Sequence, residues 1–69
     1  MFDRNKFKAQ MALSGMTMKE LAKHLDINEA TLYRKVQADG NFSRSQINQM
    51  IELLNIENPE EIFFASKLA

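Results

Sequence analysis

The stretch that decides the fold of this 69-residue chain is residues 18–37, Met18-Lys19-Glu20-Leu21-Ala22-Lys23-His24-Leu25-Asp26-Ile27-Asn28-Glu29-Ala30-Thr31-Leu32-Tyr33-Arg34-Lys35-Val36-Gln37. It predicts two short helices, at about 18–25 and 29–37, that are separated by only three residues. Helices joined by so short a turn must cross steeply. Ala22, in the first of these helices, has a small side chain at the position where the second helix is expected to pack.

Apolar residues elsewhere in the chain follow the same helical spacing. Phe7 and Met11 lie four positions apart, and a full i, i+3, i+4, i+7 stripe follows at Ile47, Met50, Ile51 and Leu54. Within 18–37, one face of each helix is apolar, at Leu21, Ala22 and Leu25 and then at Leu32 and Val36. We expect these stripes to converge in one core.

Helix-start signals recur five times, at Asp3, Thr17, Asn28, Ser43 and Asn58. Two of them form capping boxes, in which the third residue of the helix reaches back to the cap: Thr17 with Glu20, and Ser43 with Gln46. Proline suits the first helical position after Asn58, and glycines at 15 and 40 suit the ends of the first and third helices. The chain is therefore predicted to be a single all-α domain of five helices, at about 4–14, 18–25, 29–37, 44–54 and 59–67.

Composition excludes several classes of protein. Sixty-nine residues allow one domain, and the absence of cysteine rules out disulfides and thiolate chemistry. No apolar run approaches the ~20 residues of a membrane span, so a cytoplasmic protein is the expectation. Neither a glycine-rich phosphate loop nor a nucleophile elbow occurs, and the lone His24 is a poor basis for a metal site. We therefore expect no enzyme activity, metal or cofactor.

The charges are unevenly distributed, although the net charge is zero. Residues 1–44 hold eight basic and five acidic side chains, a net of +3, whereas residues 45–69 hold one basic and four acidic side chains, a net of −3. Such an asymmetry indicates that the basic part of the molecule faces phosphate groups and that the acidic part faces away from them.

Residues 18–37 resemble, without a gap, the twenty-residue helix-turn-helix motif of the phage Cro and C1-type repressors. Leu21, Ala22, Leu25, Ile27 and Leu32 all fall on the buried positions of that motif. The resemblance extends over roughly 5–56, because the Phe42-Ser43 start and the stripe that follows it look like the family's fourth helix. It implies a lambda-repressor-like bundle of five helices, and the chain resembles small single-domain prophage regulators.

Three positions depart from the family pattern. Asp26 stands where the family usually has a glycine in the left-handed conformation, which aspartate tolerates better than most residues. Met18 replaces a glutamine that touches phosphate in many relatives. Lys35 occupies the motif's late apolar position, so Val36 is expected to take the inward role one place later.

By this resemblance the third helix reads double-stranded operator DNA through its outward residues, namely Asn28, Glu29, Ala30, Tyr33, Arg34 and Gln37. Arg34 is suited to a bidentate hydrogen bond with guanine, and Asn28 or Gln37 to hydrogen bonds with adenine or with phosphate. Glu29 is suited to accept from the amine of cytosine, and Ala30 to contact the methyl group of thymine. Tyr33 suits a phosphate or a sugar. The expected phosphate contacts, which set register without specifying sequence, are Thr17, Lys19, Lys23, Lys35, Asn41, Ser43 and Arg44.

Two functions remain open from the sequence. The first is a Cro- or repressor-like transcriptional regulator that binds DNA as a homodimer, with Phe64 and Leu68 in the final helix as expected dimer contacts. The second is a protein-binding module on the same fold, antirepressor-like or antitoxin-like, that grips another regulator. The zero net charge and the apolar tail favour the second function.

Overall fold

The computed structural model describes residues 2–64, and this part of the chain is all-helical. It contains α1 (Arg4–Ser14), α2 (Met18–His24), α3 (Glu29–Gln37), α4 (Arg44–Leu53) and α5 (Pro59–Phe63). The predicted all-α class and the five helices are confirmed. Within the described residues, none of the helices has the length and apolar character needed to cross a lipid bilayer.

The turn between α2 and α3 is a Schellman motif with aspartate at its left-handed position. The amide of Ile27 donates to the carbonyl of Ala22 at 3.1 Å, and the amide of Asp26 donates to the carbonyl of Lys23 at 3.2 Å. Asp26 has a φ of 59°, which confirms the expectation that aspartate replaces glycine here. This turn ends α2 at His24 and allows α3 to begin at Glu29 after only four intervening residues.

Side-chain caps begin four of the helices as predicted. Asp3, Thr17, Asn28 and Ser43 each accept a hydrogen bond from the backbone amide three residues later, and both capping boxes are formed. Asn58 differs, because its backbone lies at φ −125° and ψ 78° and its side chain makes no capping bond. Pro59 occupies the first position of α5 as expected.

One apolar core joins all five helices. Its most deeply buried side chains, with no accessible surface, are Phe7, Leu21, Leu32, Met50 and Leu54. Val36 is 2% exposed, so the inward role predicted for it is confirmed. The core fixes which faces of α2 and α3 turn away from the bundle.

A cluster of four phenylalanines closes the end of the core where the chain begins. Phe2 lies 5.4 Å from Phe7, 5.8 Å from Phe42 and 5.9 Å from Phe63 between ring centroids. The first of these contacts joins the residue before the Asp3 cap to the first turn of α1, which is the geometry of a hydrophobic staple. Gly40, at φ 62°, lies directly against Phe2, and a Cβ atom there would overlap the ring.

The described part of α5 is shorter than the predicted helix at 59–67. Phe64 already departs from helical geometry, at φ −134° and ψ 34°, while residues 65–67 lie outside the described residues. The helix is held against α1 by an ion pair between Lys6 and Glu61 at 3.3 Å. In addition, the amide of Asp3 donates to the carbonyl of Ile62 at 2.6 Å.

The capping box of α2 makes stability depend on pH. The Glu20 carboxylate accepts the Thr17 backbone amide at 2.9 Å and the Thr17 hydroxyl at 3.1 Å. These bonds, the backbone one first, lower the pKa of Glu20 below its ordinary 4.5. Because the folded-state pKa is the lower one, this stabilisation is fully present above about pH 4.5 and is lost as the pH falls through the folded-state pKa.

We therefore expect Glu20→Gln to be less stable than the wild type at pH 7 and to approach it as the pH is lowered to about 3. Chemical denaturation across this pH range measures the difference. The second box supplies a matched control, because Gln46 occupies the equivalent position without a titrating group. Gln46→Glu should add acid-sensitive stability there. A Glu20→Gln deficit that stays constant from pH 7 to pH 3 contradicts this explanation.

Candidate nucleic-acid interface

The outer face of α3 is exposed along its whole length. All six residues predicted to contact bases are exposed: Asn28, Glu29, Ala30, Tyr33, Arg34 and Gln37. On the opposite side of the helix, Leu32 and Val36 are buried in the core. The helix is thus anchored through one face and presents a continuous polar face to solvent, with the exposed Tyr33 ring near its middle.

The two ends of this face are held by different contacts. At the first end, the Asn28 side-chain oxygen accepts the amide of Thr31 at 2.8 Å and so caps α3. At the other end, Nη1 of Arg4 donates to the Gln37 side-chain oxygen at 2.8 Å and to the Gln37 carbonyl at 3.2 Å. The side-chain oxygens of Asn28 and Gln37 are therefore each held by a hydrogen bond.

Arg4 is a residue of this surface that sequence reasoning missed. It is the first residue of α1 and lies 33 positions before Gln37, so no local pattern links the two. A cation at the end of a helix is favourable, because the last carbonyls lack partners within the helix and carry partial negative charge. Arg4 thus belongs to the same surface as the exposed face of α3.

Arg34 projects from the centre of the exposed face. Nη2 of Arg34 lies 3.4 Å from the hydroxyl of Thr31, one turn earlier in α3. This distance is long for a hydrogen bond, so the guanidinium is only weakly held. It retains donors for a partner outside the chain.

The predicted phosphate contacts divide into three groups, the third of which is Lys35 alone. Lys19, Lys23, Asn41 and Arg44 have exposed side chains near the start of α2, along α2 and at the start of α4. The hydroxyls of Thr17 and Ser43 cap α2 and α4, so each is already hydrogen-bonded. Their predicted role with phosphate stays a prediction.

Lys35 has a structural role in the described part of the chain. It is half-buried, its Nζ donates to the carbonyl of Asn41 at 2.8 Å, and the same atom lies 5.8 Å from the centroid of the Phe42 ring. These contacts tie α3 to the loop before α4. The predicted phosphate contact of Lys35 is not tested by them, since an ammonium has three donors.

Of the two predicted dimer contacts, Phe64 is 46% exposed and Leu68 lies outside the described residues. A second exposed apolar side chain, which the sequence reasoning did not single out, is Leu13 of α1 at 80% exposure. Leu13 lies on α1 and not on the polar face of α3. Leu13 and Phe64 therefore lie away from the candidate nucleic-acid interface, whereas the exposed Tyr33 ring lies on it.

Comparison with known proteins identifies one family. The family model described as the Cro/C1-type HTH (helix-turn-helix) DNA-binding domain matches residues 6–66, which includes α2, the turn and α3. No curated protein matches the chain, and no solved structure matches it either.

Proposed function

Because this chain belongs to the family of Cro/C1-type helix-turn-helix DNA-binding domains, we propose that it is a sequence-specific transcriptional regulator of double-stranded operator DNA. In this proposal α3 enters the major groove and α2 lies across the backbone, as in other proteins with this motif. The protein works in the cytoplasm, is of phage or prophage type, and acts as a repressor by covering promoter DNA.

The observation that carries the proposal is the exposure of all six outward residues of α3 while its other face is locked into the core. A recognition helix needs this arrangement, because base edges can be read only by side chains that project from the protein surface into the groove. Had Arg34 and its polar neighbours been packed beneath the other helices, no reading of DNA by α3 would be feasible.

The residue types on this face are those that discriminate base pairs. Arg34 donates in a fork to O6 and N7 of guanine, Glu29 accepts from N4 of cytosine, and Ala30 contacts the methyl group of thymine. Tyr33 contacts the sugar or a phosphate. The Glu29 carboxylate also repels phosphate. DNA sequences that do not place a cytosine opposite Glu29 should therefore be bound less well.

Phosphate contacts surround this face in the proposal. Lys19 and Lys23 of α2 hold one side of the duplex, and the Asn41–Arg44 segment holds the other. The N-terminus of α4 contributes as well, because its amides and helix dipole favour an anion. These contacts set the orientation of α3 in the groove but carry no sequence information.

Selection of duplexes from a random pool, followed by affinity measurements over a range of salt concentrations, tests this function. We expect one sequence to be enriched and bound at least about 10³-fold more tightly than a scrambled duplex. Three exposed cationic contacts, Lys19, Lys23 and Arg44, give an expected slope of log K against log salt of about −3 per bound chain. No enrichment, or affinity that is independent of salt, contradicts the proposal. Tight, salt-insensitive binding to another regulator would instead support the protein-binding function.

We further propose that the regulator binds as a homodimer through Phe64, with Leu68 as a second contact. Twofold-related recognition helices then lie about 34 Å apart, one turn of DNA. Phe64→Asp should convert the dimer to monomers, because a carboxylate cannot be buried unpaired in an apolar interface. Sedimentation measures the change, and Leu13→Asp is the control at an exposed apolar residue of α1. An unchanged sedimentation coefficient for Phe64→Asp, or a wild type that is already monomeric, ends this idea.

A further inference from the structure

Arg4 holds the side-chain amide of Gln37 through a hydrogen bond to its oxygen. The Nη1 atom of Arg4 donates to the Gln37 side-chain oxygen at 2.8 Å and to the Gln37 carbonyl at 3.2 Å. A guanidinium has donors but no acceptor. The amide oxygen of Gln37 must therefore face Arg4, which directs the amide nitrogen, with its two donors, away from Arg4.

This orientation matters because glutamine recognises adenine with both ends of its amide. The oxygen accepts from N6 of adenine while the nitrogen donates to N7. Here the oxygen is held by a cationic donor, and such charge-assisted hydrogen bonds are roughly twice as strong as neutral ones. The bond from Arg4 uses one of the two lone pairs of the oxygen, and the positive charge of Arg4 disfavours the approach of a further donor such as N6 of adenine. The amide nitrogen keeps its two donors, and guanine presents two neighbouring acceptors, O6 and N7, in the major groove.

The opposite end of α3 shows the same restriction. The oxygen of Asn28 accepts the amide of Thr31 at 2.8 Å as the cap of the helix. The amide nitrogens of Asn28 and Gln37 make no hydrogen bond within residues 2–64, so the polar face of α3 carries these two nitrogens and the guanidinium of Arg34, all of them donors. Glu29 is the exposed carboxylate acceptor at the start of this face.

We propose that Arg4 is a positioning residue that fixes Gln37 as a hydrogen-bond donor, so that α3 selects guanine rather than adenine at the base pair that Gln37 reads. The inference rests on the proposed function and deepens it, because it names an operator feature set by a residue outside the helix-turn-helix. It also replaces the sequence-based expectation that Asn28 or Gln37 pairs with adenine or with phosphate, as far as Gln37 is concerned.

The test measures base preference one pair at a time. Affinities of the wild type, Arg4→Ala and Gln37→Ala are compared on the selected duplex and on its single-pair variants, and the pair that loses preference in Gln37→Ala is the one that Gln37 reads. We expect the wild type to favour guanine there by about three- to tenfold. Arg4→Ala should reduce that preference to within about twofold, with the preference at the Arg34 pair retained.

Lys6→Ala is the matched control. Lys6 also lies on α1 and carries one positive charge, but its ion pair is with Glu61 of α5, so its removal should leave the guanine preference unchanged. Gln37→Glu, with Arg4 intact, presents acceptors only and should move the preference to cytosine. If Arg4→Ala folds poorly, the wild-type preference at the Gln37 pair still decides, because a preference for adenine there overturns the inference.

The outcomes separate the two claims. A wild type that enriches no duplex overturns the proposed function, and this inference falls with it. A wild type that prefers one duplex, but keeps its guanine preference in Arg4→Ala, or prefers adenine at the Gln37 pair, overturns this inference alone. Loss of the preference in Arg4→Ala but not in Lys6→Ala supports it.

Discussion

Arg34→Ala is expected to weaken binding to the selected duplex by about 5- to 150-fold, equivalent to 1–3 kcal/mol, and to abolish discrimination at one base pair. The guanidinium is exposed at the centre of the α3 face and is held only by a long 3.4 Å contact with Thr31. Its donors are thus available to a guanine, and alanine supplies none. Fluorescence anisotropy on the selected duplex and on its single-pair variants measures both effects.

Arg44→Ala provides the comparison for this prediction. Arg44 is also an exposed arginine, but it lies at the start of α4, where we propose a phosphate contact. Its loss should weaken binding about equally on all sequences and make the salt slope shallower by about 1. If Arg34→Ala lowers affinity equally for every duplex, as Arg44→Ala is expected to do, Arg34 does not read a base.

Leu32→Ala is expected to lower the free energy of unfolding by about 2–5 kcal/mol. Leu32 has no accessible surface and anchors α3 in the core, so the change removes buried apolar surface and leaves a cavity. A domain of this size has a total stability of only about 3–10 kcal/mol. The substitution should therefore remove a large fraction of that stability, which urea denaturation followed by circular dichroism measures.

Leu13→Ala makes the same chemical change at a leucine that is 80% exposed. Because little apolar surface is buried there, the free energy of unfolding should change by no more than about 0.5 kcal/mol. A loss below about 1 kcal/mol for Leu32→Ala, or equal losses for the two leucines, would show that α3 is not anchored as described.

The features that could be predicted from sequence are local ones. Capping boxes form between residues three apart, so Thr17 with Glu20 and Ser43 with Gln46 define the starts of α2 and α4 directly. The left-handed turn at Asp26 follows from its place three residues before the next helix. The outward face of α3 follows from the spacing of its two buried residues.

The features that could not be predicted depend on packing between distant segments. The contact of Arg4 with Gln37 spans 33 positions and forms only because α1 and α3 are brought together by the core. The engagement of Lys35 with the Asn41 carbonyl and the Phe42 ring depends on the path of the loop before α4. Asn58 lacks a capping bond because its backbone conformation differs from that of the other caps.

An NMR titration of the ¹⁵N-labelled chain with its selected duplex tests most directly whether α3 is the surface that meets DNA. We predict the largest amide shift changes in residues 28–37 and 41–44, with smaller changes along α2. Changes confined to α5 and to the surface of α1 around Leu13, with the amides of α3 unmoved, would contradict this prediction.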